Sequence, residues 1–292
     1  MRYVAETQWS AYQPLMTLPA SATPVLFDRA QLAARQDRAR KQGAVTFLFD
    51  RVAEDFSDRL AAVKREFFAV ADLWTPGELP LPARASVARV ALDSGSETLP
   101  LQPESLDLVA SALALQFVND LPGVLAQIRR ALKPDGLLLA AMIGGDTLTE
   151  LRQSFAAAEA ECEGGVSPRV APFADLRDIG QLLQRAGLAL PVTDVDRVVV
   201  RYDNAFALMH DLRRMGATNI LFERRRAPTR GATMLRMAQI YAERFADPDG
   251  RIRATFDIVW LSAWAPHESQ QKPLRPGSAK TSLEDAVKGV KK

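Results

Sequence analysis

The sequence predicts an α/β protein with a mostly parallel sheet and helices on both faces. Three observations carry this. Four short apolar runs, "FFAVADL", "SVARVALD", "SLDLVASAL" and "GLLLAAMI", are continuous rather than alternating, the pattern of strands buried on both faces. Helical patterns precede the first run and follow the third and fourth, so helix and strand alternate. The chain has 292 residues, 48% apolar and 25% charged, which is ordinary globular composition and enough length to bury a core without staples.

Each element has its own local reason. Residues 1–25 hold scattered Pro and Ser with weak periodicity and predict a flexible arm. "LFDRAQLAARQDRARKQG" (Leu26–Gly43) predicts a basic helix. Leu48, Val52, Phe56, Leu60 and Val63 recur at spacings of three and four, which predicts a helix from Phe47 to about Glu66. Phe67–Leu73, Ser86–Asp93, Ser105–Leu113 and Gly136–Ile143 are the four apolar strands. Asp120–Leu132 and Asp146–Cys162 predict helices, and "KPDG" (Lys133–Gly136) a tight turn from helix to strand. A helix over Phe173–Gly187 ends on a capping glycine. A strand over Pro191–Tyr202, helices near Ala205–Met215 and Gly231–Phe245, and a last strand over Arg251–Ala265 complete one domain across 26–268. The tail 269–292 is rich in Pro, Lys and Ser and predicts partial disorder.

Composition also excludes classes of function. The net charge of +2 gives no bulk electrostatic pull towards nucleic acid or membrane. A single cysteine, Cys162, allows no disulfide within the chain and fits a reducing compartment. Cys162, His210 and His267 are far apart, which argues against structural zinc. No metal site is expected, although carboxylates alone leave one open. The first residues lack a basic segment followed by an apolar one, and the longest apolar run, "GLLLAAMIGG", is too short to span a bilayer. The expectation is a cytoplasmic protein able to touch a membrane-bound partner.

Chemistry-bearing residues cluster after the predicted strands, where open sheets bind ligands. After the first strand, Asp72 is followed by Trp74, Thr75, Pro76 and Gly77. This is either a cofactor loop or a plain turn: Pro76 removes a donor and Trp74 fills space a sugar would need. Asp93 ends the second strand and could accept a bond from an adenine amine or a ribose hydroxyl, or be an ordinary turn aspartate. Gln116, Phe117 and Asn119 follow the third strand, with Asn119 or Asp120 the expected cap of the next helix. Gly144 and Gly145 permit close backbone approach to a ligand, while Asp146 or Thr147 is expected to cap the following helix. The arginine run "FERRRAPTRG" could bind phosphate or an acidic partner, or be a solvated loop, and it lacks the interleaved aromatics of a nucleic-acid site. His267 and His210 read as structural.

The stretch "SLDLVASALALQFVNDLPGVLAQIRRALKPDGLLLAAMIGGDTLTELR" resembles the second half of a class I S-adenosylmethionine (SAM) methyltransferase core. More narrowly, it is similar to the complex I assembly factor 5 family, related to the malonyl-carrier-protein methyltransferase of biotin synthesis. "EGGVSPRVAPF", "LLQRAGL", "LMHDLRRMGATN" and "HESQQKPLRPGSA" extend the likeness, which covers about Leu26–Ala279. The resemblance implies a Rossmann-like sheet of seven strands, SAM as cofactor, and a role in assembling respiratory NADH:ubiquinone oxidoreductase (complex I). It implies a protein substrate or partner, a complex I subunit among them, with family members regarded either as methyltransferases or as hydroxylating an arginine side chain of such a subunit. The protein would be cytoplasmic and peripheral to the inner membrane. The site it implies comprises Asp72, Gly77, Asp93, Gln116, Gly144 and Gly145, with no assigned catalytic base.

The sequence departs from this pattern in one region. The family's Asp-Leu-Gly-Cys-Gly-x-Gly loop is matched at Asp72 and Leu73, but Trp74, Thr75 and Pro76 replace Gly, Cys and Gly. Gln116 and Phe117 stand where the family usually has His-Trp. The interval to "LDLV" leaves room for about one strand, at the ordinary rises per residue of strand and helix. The expectation is therefore six strands, with Ser86–Asp93 paired directly beside Phe67–Leu73 and the ribose-binding acid missing. Two functional readings follow: an active SAM-dependent methyltransferase, or a methyltransferase-fold scaffold that has lost SAM.

Overall fold

The computed structural model describes residues 25–91 and 96–271. The predicted arm over 1–24, the tail beyond 271 and the candidate Asp93 lie outside the described residues. In chain order the elements are α1 (Arg29–Lys41), α2 (Phe47–Ala62), β1 (Ala69–Leu73), β2 (Ser86–Val90) and β3 (Leu106–Ala112). A short 3-10 turn (Leu115–Phe117), α3 (Leu121–Ala131), β4 (Leu132–Gly144), α4 (Thr149–Glu163) and α5 (Leu176–Arg185) follow. The chain ends on β5 (Ala189–Tyr202), α6 (Ala205–Arg214), α7 (Gly231–Phe245) and β6 (Ile252–Trp264).

Among the described residues the sheet has six strands in the order β2-β1-β3-β4-β6-β5. β2, β1, β3 and β4 run parallel, and β6 is antiparallel to both β4 and β5. The Ser86 strand pairs directly with β1, Ala71 opposite Ala88, as the short interval predicts.

Strand alternation splits the core between two faces. Val109, Leu138, Ala140 and Met142 turn towards α3 and α5, where Leu125, Ile128, Ile179 and Leu183 meet them. Leu108, Ala110, Leu137 and Leu139 turn the other way, onto Val52, Phe56 and Leu60 of α2. A third cluster ties α4, α6 and α7 to β6 through Phe155, Leu208, Tyr241 and Phe256. Burial of a Leu- or Phe-sized side chain contributes about 1.5–3 kcal/mol, so these contacts hold the helices to the sheet.

Two local expectations are corrected. "KPDG" is not a turn between helix and strand. Leu132 pairs with Leu106 and Leu137 with Leu108, so the extra residues form a bulge inside β4, with Asp135 at φ 62°. Neither Asp146 nor Thr147 caps α4. Its cap position is Leu148, in the left-handed region at φ 54°, with no side-chain cap bond. Both polar side chains are taken by tertiary partners, as described below. Asp120 does cap α3, its carboxylate accepting the Gly123 N–H at 2.9 Å. Asn119 instead accepts the N–H groups of Leu26 and Phe27 and anchors the segment leading into α1.

Candidate ligand cavity at the carboxyl edge of the sheet

The parallel strands end on a cavity of about 460 Å³. Gly77 lies beyond the end of β1, Leu113 and Gln116 beyond β3, and Ile143 at the end of β4, and all line it. α1 and the start of α2 form one wall, through Arg35, Ala39, Leu48 and Phe49. Leu148 at the start of α4, Leu151 and Phe155 within it, and Met209 and Leu212 of α6 complete the lining on that side. α1 is seated by Leu32, fully buried against Phe27, Ile220 and Leu221, and by its cap Asp28, whose carboxylate accepts the Gln31 N–H.

Of the five singled-out residues that are described, Asp72, Gly77, Gln116, Gly144 and Gly145, two reach this cavity. Gln116 is buried; its Nε2 donates to the Leu113 carbonyl at 2.8 Å, and its Oε1 accepts the Ile143 N–H at 3.4 Å. Gly77 faces the ring of Phe49: a Cβ there would lie 2.4 Å from a ring carbon. The space that glycine leaves is thus filled by the protein itself.

Asp72 does not line the cavity. It is buried at the end of β1, with Oδ1 unpartnered. Burial pushes its pKa up, opposed by a hydrogen bond from Thr75 and by the charge of Arg89.

The paired glycines also stand away from the cavity, because β6 occupies the room they leave. A Cβ on Gly144 would meet Val259 at 2.6 Å, and one on Gly145 would meet the Asp257 carboxylate at 2.6 Å. Gly145 has φ 56°, which glycine adopts without strain. Asp257 gathers the whole turn. It accepts the Asp146 N–H at 2.9 Å and a two-pronged bond from Arg197, at 2.7 and 2.8 Å. Its own N–H donates to the Thr147 hydroxyl at 2.9 Å, and Arg197 also bonds Asp146 at 2.9 Å. Burial raises the pKa of Asp257, but the bonds from Arg197 and the Asp146 N–H outweigh it and leave the carboxyl below its usual value.

The turn after β1 keeps the shape of a glycine turn without glycine. Trp74 sits at φ 61°, a left-handed conformation that costs a non-glycine residue about 1–2 kcal/mol. Its N–H donates to the Val90 carbonyl at 3.0 Å. Its ring is buried in the core, and the Arg29 guanidinium lies 5.3 Å from the ring centre.

Sequence reasoning missed the cationic character of the cavity. Among the described residues seven arginines line it and no aspartate or glutamate does. Four are neutralised from outside the lining: Arg40 by Asp37, Arg169 by Glu159, Arg224 by Asp28 and Arg225 by Glu163. Two members of the "ERRR" run are therefore ion-paired at the cavity edge rather than presented as a solvated cluster. Arg35, Arg213 and Arg214 have no carboxylate partner among the described residues. The signal for Arg35 was present: with Leu32 and Ala39 it has the three-and-four spacing of one helix face.

The sheet order and its crevice define a protein of methyltransferase fold, and residues 78–140 match the family model of a methyltransferase domain. The chain belongs to the family of the arginine-hydroxylase NDUFAF5 proteins. The human mitochondrial protein of that name is 37% identical over 88% of this chain and 82% of its own length. The Dictyostelium discoideum protein is 47% identical over 62% of this chain, but the match spans only 41% of that relative. The malonyl-[acyl-carrier protein] O-methyltransferase of Laribacter hongkongensis is 41% identical over 62% of this chain and 58% of its own. Among solved structures, the YcgJ protein from Bacillus subtilis aligns over 71% of this chain and 96% of its own, at 12% identity and a TM-score of 0.44. No helix among the described residues is long and apolar enough to cross a membrane.

Proposed function

We propose that this chain acts in the assembly or modification of respiratory complex I as a methyltransferase-like protein, engaging a subunit of that complex on the cytoplasmic side of the membrane. Family membership and the match to the human protein support the role. One observation supports a particular form of this role: the turn after β1 is a poor match to a SAM-binding turn. A class I site needs that turn to present free N–H groups and an open approach. Here the Trp74 N–H is spent on Val90, Pro76 has none, and Phe49 covers Gly77. The Asp72 oxygen without a partner is not on the cavity wall. The cavity persists while the cofactor turn is filled, so the fold serves as a binding platform and no methyl-transfer step is assigned to it.

A second reading, SAM-dependent transfer, is favoured by Gly77 and Gln116, which still line the cavity. Calorimetry with SAM and S-adenosylhomocysteine separates the two. The platform reading expects no saturable heat at high micromolar ligand, and saturable binding overturns it. The complex I role is tested by disrupting the gene in its host and assaying NADH:quinone activity of the membranes. A several-fold loss restored by the wild-type gene is expected, and unchanged activity overturns the role.

A further inference from the structure

The cavity's charge and its surface point in different directions, and together they specify a ligand. Its floor is apolar, built from Leu48, Leu113, Leu148, Phe155, Leu212 and Phe256. Its volume of about 460 Å³ falls in the range of small-molecule sites. Its wall carries three arginines without a carboxylate partner among the described residues. Among the described residues the Arg35 side chain donates only to the Asn219 carbonyl and that of Arg214 only to the Gly43 carbonyl, while the Arg213 guanidinium makes no hydrogen bond. A guanidinium has five N–H donors, so each retains several for a ligand.

Removing cations from water beside an apolar wall is costly unless an anion answers them. Arg35 registers that cost. Its pKa is lowered, first by burial and then by the like charges of Arg224 and Arg38, against which Asp28 is a weaker opposing influence. Among the described residues no carboxylate on the cavity wall supplies the missing negative charge.

We infer that this cavity binds an amphipathic anion, an apolar body with a carboxylate or phosphate head, its head on Arg35, Arg213 and Arg214 and its body over the leucine and phenylalanine floor. Two alternatives fail on the same grounds. An arginine side chain brings a further cation to a wall without a carboxylate among the described residues, and like charges brought together are repelled. A neutral apolar ligand leaves the arginines unanswered. The inference does not depend on the complex I role, and either can fail alone.

The test is calorimetry on the full chain with decanoate, decyl phosphate, decanol and decyltrimethylammonium, each below its micelle concentration. Both anions are expected to bind saturably and at least ten-fold more tightly than decanol, with no saturable heat from the cation. The stronger of the two anions identifies the natural head group. Arg35→Gln and Arg213→Gln are each expected to weaken the anions ten-fold or more. The Arg213 side chain is exposed and has no bonded partner among the described residues, so its variant folds even if loss of the Arg35 bond to Asn219 loosens α1. Three results would overturn the assignment: no saturable anion binding, binding of the cation as tight as that of the anions, or Arg213→Gln binding the anions at wild-type strength.

Discussion

At Asp257 a buried carboxylate is kept ionised by partners that lie far away in sequence. Its side chain is 3% exposed, whereas that of Arg197 is 54% exposed. Solvent screening at the arginine discounts the pair, but removing one partner still strands a buried polar group. Asp257→Asn is expected to cost about 2 kcal/mol near neutral pH, by the penalty for a broken charge-assisted hydrogen bond. The pH dependence follows from the lowered pKa. A carboxyl that titrates lower when folded contributes its stability above the unfolded value of about 3.9, and loses it as pH falls through the folded value. Urea denaturation should therefore show the gap between wild type and variant narrowing as pH drops from neutral towards the acid limb. A gap constant across that range would show that the ion pair is not its cause. Nothing in "IGGD" announces this network, because its partners Arg197 and Asp257 lie 51 and 111 residues from Asp146.

Elements were legible in proportion to how locally their cause is written. α2 follows from its own apolar stripe, and α3 from the Asp120 cap and the Pro and Gly behind it. The continuous runs of β3 and β4 reveal strands buried on both faces. α4's start was misplaced because the groups that look like caps, Asp146 and Thr147, are drawn off to β6 and Arg197. α1 was legible as a helix but not as a cavity wall, since its seat on Ile220 and Leu221 is a non-local contact. That seat is small and depends on Leu32, which is 1% exposed. Leu32→Ala is expected to cost about 2 kcal/mol, the low end for a buried leucine. The loss should be confined to α1, because its cluster is separate from the sheet core. By hydrogen exchange, α1 amides should open about 30-fold faster, the ratio that this energy implies, with β3 and β4 unchanged. A uniform change across the sheet would mean that α1 is part of the main core.

For the molecule as a whole, the two ends of the sheet are built to different standards. At one end β5 and β6 form a long antiparallel pair, from Ala189 opposite Trp264 to Tyr202 opposite Ile252. At the other end β2 has five residues, four of them exposed and none buried. The strand count and the β1–β2 pairing were readable from the short interval between Leu73 and Leu106. The reduced burial is the physical consequence: an edge strand with little apolar surface covered contributes little of the roughly 25 cal/mol per Å² that burial supplies. β1, by contrast, is buried from Val70 to Leu73 and paired on both sides. Local opening follows burial. Native-state hydrogen exchange should therefore rank the amides of 86–90 as the fastest in the sheet, those of 69–73 as intermediate, and those of 137–144 and 254–261 as the slowest. The ordering should survive a mild denaturant series, with the β2 amides converging last on the global unfolding energy. If β2 were protected as strongly as β4, something must cover it in solution, and the weak end of the sheet would then be a surface that a partner completes.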